Sequence, residues 1–259
     1  MRQDDAMIEL RGVSKAYDGH AALAEVDLEI AAGSFVALVG ASGSGKTTLL
    51  KTINGLIAPD AGEIRVQGEA ADFAAPHVLR RKIGYVFQEV GLFPHLTVAE
   101  NIGITPRLSG WERSRIASRV RDLLALVDLP AEIAARYPAA LSGGQRQRVG
   151  VARALAAEPA IVLMDEPFGA LDPLTRDALG QDYRALHERL SLTTVMVTHD
   201  MAEAVLLADR IVVMQAGKVV ADGAPADLLA SVSDPQVRAM LEAPRRQAQR
   251  LSAKLGAGA

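Results

Sequence analysis

Hydrophobic and polar positions along this chain follow two different rhythms. Leu23, Val26, Leu28 and Ile30 recur at nearly every second residue, and the short glycine-bounded run GEIRVQG repeats the habit. Such alternation predicts strands with one buried face, paired antiparallel. Four other runs do not alternate: FVALVG (35–40), IGYVF (83–87), AIVLMD (160–165) and TTVMVT (193–198). They are short, continuous and rich in branched side chains, as strands covered on both faces must be. Between them the period becomes helical. Leu49, Leu50, Ile53 and Leu56 follow the first run, and Ile116, Val120, Leu123, Leu124 and Val127 form an i, i+4, i+7, i+8, i+11 stripe. The alternation of buried strands with helices predicts an α/β fold with a mostly parallel sheet, preceded by an antiparallel β portion. The segment from about 89 to 140 separates two core strands, is helix-rich, and is expected to form an inserted helical lobe. VVMQAGKVVADG (212–223) predicts a hairpin with Ala-Gly at its turn.

Composition narrows the class. Of 259 residues, 49% are hydrophobic and 23% charged, enough apolar material for a core, and the net charge of −3 gives no general attraction to nucleic acid. There is no cysteine, which excludes disulfides and thiolate metal sites. The first ten residues lack the apolar stretch of a secretory signal. No run approaches the roughly 18 apolar residues of a membrane span, so work at a membrane would have to pass through a partner. The final stretch, PRRQAQRLSAKLGAGA, has four basic residues and no acidic one. It is expected to be a solvated tail following a C-terminal helix. The expected division is thus 1–235 for the main domain and 236–259 for the helix and tail.

Chemistry enters with GASGSGKTT at 40–48, directly after FVALV and before an amphipathic helix. This is the G-x-x-x-x-G-K-[ST] phosphate cradle in its required context. Gly40, Ala41, Ser42, Gly43, Ser44 and Gly45 would turn backbone N–H groups toward phosphates, and the helix N-terminus adds its positive end. Lys46 would reach the β- and γ-phosphates, and the hydroxyl of Thr47, next to Thr48, would serve Mg²⁺. IVLMDEP places Asp165 and Glu166 at the end of a buried strand. Ligands of open α/β sheets lie beyond the carboxyl ends of strands, so both acids belong near the cradle. Asp165 is expected to hold Mg²⁺, through water, and Glu166 to face an attacking water as general base or polariser. His199 ends the strand TTVMVT and Gln88 follows IGYVF, which puts both at the same mouth. His199 could bond the γ-phosphate or the water, and Gln88 could touch Mg²⁺ or the water. The ring of Tyr17 could stack on a base or pack in a core. LSGGQRQRVGVARAL (141–155) is a second glycine-rich helix start, readable either as an anion site or as a simple serine-capped helix.

Taken in order, KAYDG, GASGSGKTT, YVFQEVGLFPHLT, LSGGQ, IVLMDEP, GALDP and VTHD resemble the nucleotide-binding subunit of ATP-binding cassette transporters over about residues 7–230. Ala41 departs from the proline common in importer relatives, at a position the motif leaves free. The resemblance implies ATP and Mg²⁺ as cofactors. It makes Ser142, Gly143, Gly144 and Gln145 a signature acting on the partner's ATP in a head-to-tail homodimer, and Asp172 the D-loop acid. It also implies integral-membrane permease subunits, an indirect link to a substrate-binding protein, and a peripheral place on the cytoplasmic face of the inner (plasma) membrane. VGLFPHL would line a groove for a coupling helix, unless it is an ordinary buried loop-to-helix transition. GLFPH and ITPRLSGW resemble the ATPases of quaternary-amine importers, which take up glycine betaine, choline or related osmoprotectants. Other solutes remain the alternative. Many of those ATPases carry a tandem CBS module, and the chain is expected to end before one.

Competing classes ask for features this sequence lacks. DNA-repair cassettes need long coiled coils or zinc modules, and translation-associated cassettes need two phosphate cradles. A phosphate-loop kinase has no use for LSGGQ beside Glu166 and His199. No nucleic-acid partner is therefore expected.

Overall fold

The computed structural model describes residues 6–256. Two sheets organise it. The first is four-stranded in the order β2-β1-β4-β5, with β1 (Ala6–Tyr17), β2 (His20–Ala31), β4 (Ala61–Val66) and β5 (Glu69–Ala70) all antiparallel. The second is six-stranded: β10-β9-β3-β8-β7-β6. Within it β3 (Phe35–Val39), β6 (Ile83–Val86), β7 (Ile161–Asp165), β8 (Thr193–Val197) and β9 (Arg210–Gln215) are parallel, and β10 (Lys218–Gly223) closes one edge as an antiparallel hairpin with β9.

The four continuous apolar runs are these central strands, and every residue of β3, β6, β7 and β8 is buried. Side-chain alternation along each strand divides them between two cores. Val36, Leu38, Leu163, Val195 and Val197 face α1 (Lys46–Ile53) and the antiparallel sheet, meeting Leu49, Leu50, Ile53, Ile8 and Leu10. Phe35, Ala37, Val39, Val162, Met164 and Met196 face the other way. They pack with Ile102, Leu123, Val149, Leu155 and Leu179 from α3 (Val98–Leu108), α4 (Arg113–Leu126), α5 (Gly143–Leu155) and α6 (Pro173–Leu190). Of the predicted stripe, Val120, Leu123 and Leu124 are the buried face of α4, Ile116 is partly buried, and Val127 is the buried C-cap.

The helical stretch between β6 and β7 runs further than residue 140, because α5 belongs to it and reaches Leu155. α7 (Met201–Leu207) follows β8, and α8 (Pro225–Ser231), α9 (Pro235–Leu241) and α10 (Ala243–Leu255) end the fold. The basic stretch read as a tail is helical from Ala243 to Leu255. It lies largely in solvent. Residues 257–259 of that tail, and 1–5 of the expected main domain, lie outside the described residues.

Since β3, β6, β7 and β8 run parallel, their carboxyl ends share one edge of the sheet. The residues that follow those strands, 40–47, 88, 166 and 199, share it too.

Candidate functional site

The turn after β3 is built for close backbone approach. Gly40, Gly43 and Gly45 have φ of 150°, 77° and 101°, values open to glycine but strained for other residues. A Cβ on Gly40 would sit 2.2 Å from the Met214 carbonyl oxygen, and one on Gly45 would sit 2.3 Å from that of Ala22. The Gly217 N–H donates to the Ser44 carbonyl. The loop is therefore pinned between β2 and the β9–β10 turn, and the β1–β2 end bearing the exposed Tyr17 lies beside it. Lys15 Nζ stands 5.6 Å from the Tyr17 ring centroid, and the ring is exposed rather than packed in the core.

Lys46 is buried at the first turn of α1. Its ammonium donates to the carbonyls of Gly40 (2.9 Å) and Ala41 (2.8 Å) and approaches Ser44 Oγ at 3.3 Å. Burial pulls its pKa below the ordinary lysine value, while Glu166 and Asp165 act in the opposite sense. Thr47 Oγ1 donates to Asp165 Oδ1 at 3.0 Å. Burial pushes the Asp165 carboxyl above its usual range, and the Thr47 hydrogen bond partly offsets this. Thr47 and Asp165 thus present two hard oxygens at the mouth of the cradle, the donor type Mg²⁺ takes. No cluster of three or more His, Asp or Glu side chains suited to a metal occurs among the described residues. A cation here fits only the mode in which phosphates and water complete the shell.

Glu166 leaves the strand with φ of 44°, an uncommon value for a side-chain-bearing residue. Its N–H still pairs with the Val197 carbonyl at 2.9 Å. The turn aims the carboxylate across the sheet end, where Oε2 accepts from Gln88 Nε2 at 3.1 Å and lies 3.2 Å from His199 Nδ1. Gln88, Glu166, Gly169 and His199 line a cleft of about 710 Å³ together with Arg146. Three strand ends separated by tens of residues in sequence thus meet on one oxygen atom.

None of the LSGGQ residues lines that cleft, although Arg146 directly after them does. Ser142 caps α5, its Oγ accepting from Gln145 N–H (3.2 Å) while Gln145 Oε1 accepts from Ser142 N–H (3.0 Å). This reciprocal box fixes the helix start. It leaves the Ser142 hydroxyl proton and the first N–H groups of an exposed helix end available. Asp172 caps α6 by accepting from Thr175 N–H at 3.1 Å, and the Thr175 hydroxyl first, with that N–H, holds its carboxyl below the usual range.

Two residues were missed by motif reading. Arg176 donates to the carbonyls of Gly169 and Leu171 and pairs with Asp200 at 3.3 Å, bracing the turn before Asp172 against the segment after His199. Arg153, a lone cation within the apolar run VGVARAL, is buried. That isolation was the available signal, since buried arginines need partners.

The sequence between residues 23 and 169 matches the family model described as ABC transporter. The chain belongs to the ABC transporter family. It is 52% identical over 229 residues to the choline transport ATP-binding protein OpuBA of Bacillus subtilis, covering 88% of this chain and 60% of that protein. It is 50% identical over 232 residues to the glycine betaine uptake system ATP-binding protein YehX of Escherichia coli, covering 90% and 75%. The chain thus spans about three fifths of the length of the first relative. Among solved structures, it is similar to the dimeric post-hydrolysis state of the cassette MJ0796 bound to ADP and Pi. The TM-score is 0.77 at 36% identity, with 84% of this chain and 98% of that one covered. The fold read from the sequence, a parallel core with an antiparallel sheet and inserted helices, is the ABC ATPase fold.

Proposed function

We propose that this cassette is the ATP-hydrolysing subunit of an importer and works as a head-to-tail homodimer beneath integral-membrane permease subunits, at the cytoplasmic face of the inner membrane. The observation that carries the reading is the Glu166 carboxylate, fixed by Gln88 and His199 through one oxygen. The other oxygen is free to take a proton from water. A cradle that ends in Lys46 stands at the same sheet edge. Backbone N–H groups of residues 40–47 and the Lys46 ammonium hold the triphosphate of ATP and oppose the charge that spreads during in-line attack. Tyr17 stacks on the base. Thr47, Asp165 and Gln88 are the residues that would hold Mg²⁺, and the ion would supply charge neutralisation at the phosphates. His199 donates to the γ-phosphate or keeps Glu166 aimed.

Ser142, Gly143, Gly144 and Gln145 form a helix start that shares no hydrogen bond with this chain's own Lys46 among the described residues. A second copy turned head to tail would place them over the γ-phosphate, so that ATP joins the two chains and hydrolysis parts them. The dimeric structure of MJ0796 supports the pairing of two chains, and its post-hydrolysis state with ADP and Pi puts the parting after product release.

A permease has a surface to meet. Leu56, Phe87, Phe93 and Leu108 are each more than 40% exposed and share one groove of about 420 Å³ between the parallel core and the helical lobe. Four large apolar side chains left in solvent at one place mark a contact surface. The groove takes in Phe93 of VGLFPHL, the stretch read as a docking site.

The solute we assign is a quaternary amine such as glycine betaine or choline, supported by the names of the relatives at 50–52% identity. A periplasmic or surface binding protein would deliver it to the permease. The test is uptake of labelled glycine betaine and choline by cells in which this gene is deleted and then restored. Loss and recovery of uptake are expected. Normal uptake of both, with loss of another solute, would overturn the substrate assignment.

A further inference from the structure

The strand-end loop that carries Gln88 is not held by its own strand alone. Downstream of Gln88, Val90 has φ of 21° and Gly91 of 56°. A branched residue at positive φ is a conformational outlier that surroundings must enforce. The enforcing element is the C-terminal half of α5, the helix whose N-terminus is LSGGQ.

Three contacts seat it. Arg153 Nη2 donates to the Val90 carbonyl and Nη1 to the Gly91 carbonyl, each at 2.6 Å. The Val90 side chain lies over Gly150, where a Cβ would come within 2.8 Å of Val90 Cγ1. One turn on, a Cβ at Gly84 of β6 would meet the Ala154 carbonyl at 2.5 Å, so helix and strand touch backbone to backbone. Gly150 and Arg153 stand three apart, on one face of the helix.

Arg153 is 8% exposed. Its hydrogen-bond partners among the described residues are those two carbonyls, with the Phe87 ring centroid 5.8 Å from its guanidinium carbon. It forms no salt bridge among the described residues, and burial lowers its pKa. A buried cation without a counter-ion is a costly way to hold a helix to a strand, which apolar packing does without. Its forked donors do something packing cannot: they fix two successive carbonyl directions.

We infer that Arg153, with the gap at Gly150, is a positioning residue that locks the Gln88 loop to the signature helix. Movement of the LSGGQ end during closure on a partner's ATP is thereby delivered to the Gln88–Glu166 contact. This rests on the ATPase reading above for its consequence, but the lock itself can be measured without hydrolysis.

Two variants test it in the full-length chain. Arg153→Lys keeps the charge and loses the fork. Gly150→Ala leaves Arg153 intact and pushes Val90 from the other side, while improving helix propensity at that position. In both, amide hydrogen exchange in a peptide spanning residues 87–93 is expected to speed at least tenfold, with peptides from β7 and β8 unchanged. Turnover of ATP is expected to fall about tenfold, with equilibrium affinity for ATP within twofold of the parent. Unchanged exchange at 87–93 in both variants would overturn the lock. Faster exchange with parental turnover in both would overturn its role in positioning Gln88. Losses of turnover and of ATP affinity in equal measure would show a structural role only. A parent chain that binds no ATP would instead refute the proposed function, and the exchange result would still decide the lock.

Discussion

Replacing Glu166 by glutamine isolates the proposed proton transfer from everything else the site does. The two side chains have the same shape. In the parent, both neighbours converge on one oxygen: Gln88 Nε2 donates at 3.1 Å and His199 Nδ1 lies at 3.2 Å. A glutamine at 166 can satisfy the Gln88 donor only by turning its own carbonyl oxygen to it. Its NH₂ group then occupies the place of the free carboxylate oxygen, and an amide N–H cannot take a proton from water. Lys46 and the cradle are untouched, because their contacts are with Gly40, Ala41 and Ser44. The expected effect is therefore confined to the chemical step. General-base catalysis contributes about 10²–10⁴ in rate, or about 3–5.5 kcal/mol of barrier. Steady-state phosphate release at saturating ATP and Mg²⁺ should fall by that factor, and equilibrium binding of a fluorescent ATP analogue should stay within about twofold. Release within tenfold of the parent would refute the general-base role. Loss of nucleotide binding would show that Glu166 holds the fold of the site instead.

Three further outcomes follow from the same geometry. Lys46→Ala removes the only cation the cradle presents to the phosphates and should weaken ATP binding at least tenfold, read by the same binding titration. Gly45→Ala places a Cβ 2.3 Å from the Ala22 carbonyl at φ of 101°; strain of about 1–3 kcal/mol plus the clash should lower the thermal midpoint and abolish nucleotide binding together. The third concerns pH. Burial raises the Asp165 pKa above its unfolded value, so the group favours the folded state when protonated at low pH and loses that advantage as pH rises through the elevated value. In chelator, Asp165→Asn should therefore gain stability relative to the parent as pH climbs from about 4 to neutrality; a gap that shrinks over this range would contradict the assigned shift.

Most of the site was legible because its chemistry is local in sequence. The cradle, the Asp165–Glu166 pair and the LSGGQ helix start are runs of fixed residue types, and the parallel sheet was readable from unbroken apolar runs that can only be buried on both faces. What stayed hidden is what depends on contact between distant segments. That His199 and Gln88 converge on the same Glu166 oxygen follows from the strand order β3-β8-β7-β6, which periodicity does not encode. Arg153 and Arg176 act by donating to backbone carbonyls, and a carbonyl leaves no trace in the identity of the residue that bears it. In the C-terminal stretch the composition told only of solvent exposure, which α10 shows; PRRQAQRLSAKL has proline at the first turn and good helix formers after it, and the helix forms from Ala243 to Leu255.

The central claim is that one chain holds two half-sites completed by a second copy. Sedimentation of the Glu166→Gln chain measures it directly, since slow turnover preserves bound ATP. The account predicts a species of the 27.4 kDa chain mass without nucleotide and of twice that mass with ATP. Ser142→Asp in the same chain, which keeps an N-cap acceptor and puts a negative charge where the partner's γ-phosphate should lie, should restore the single-chain mass while leaving ATP binding intact. A Glu166→Gln chain that binds ATP and still sediments at the single-chain mass would contradict the account.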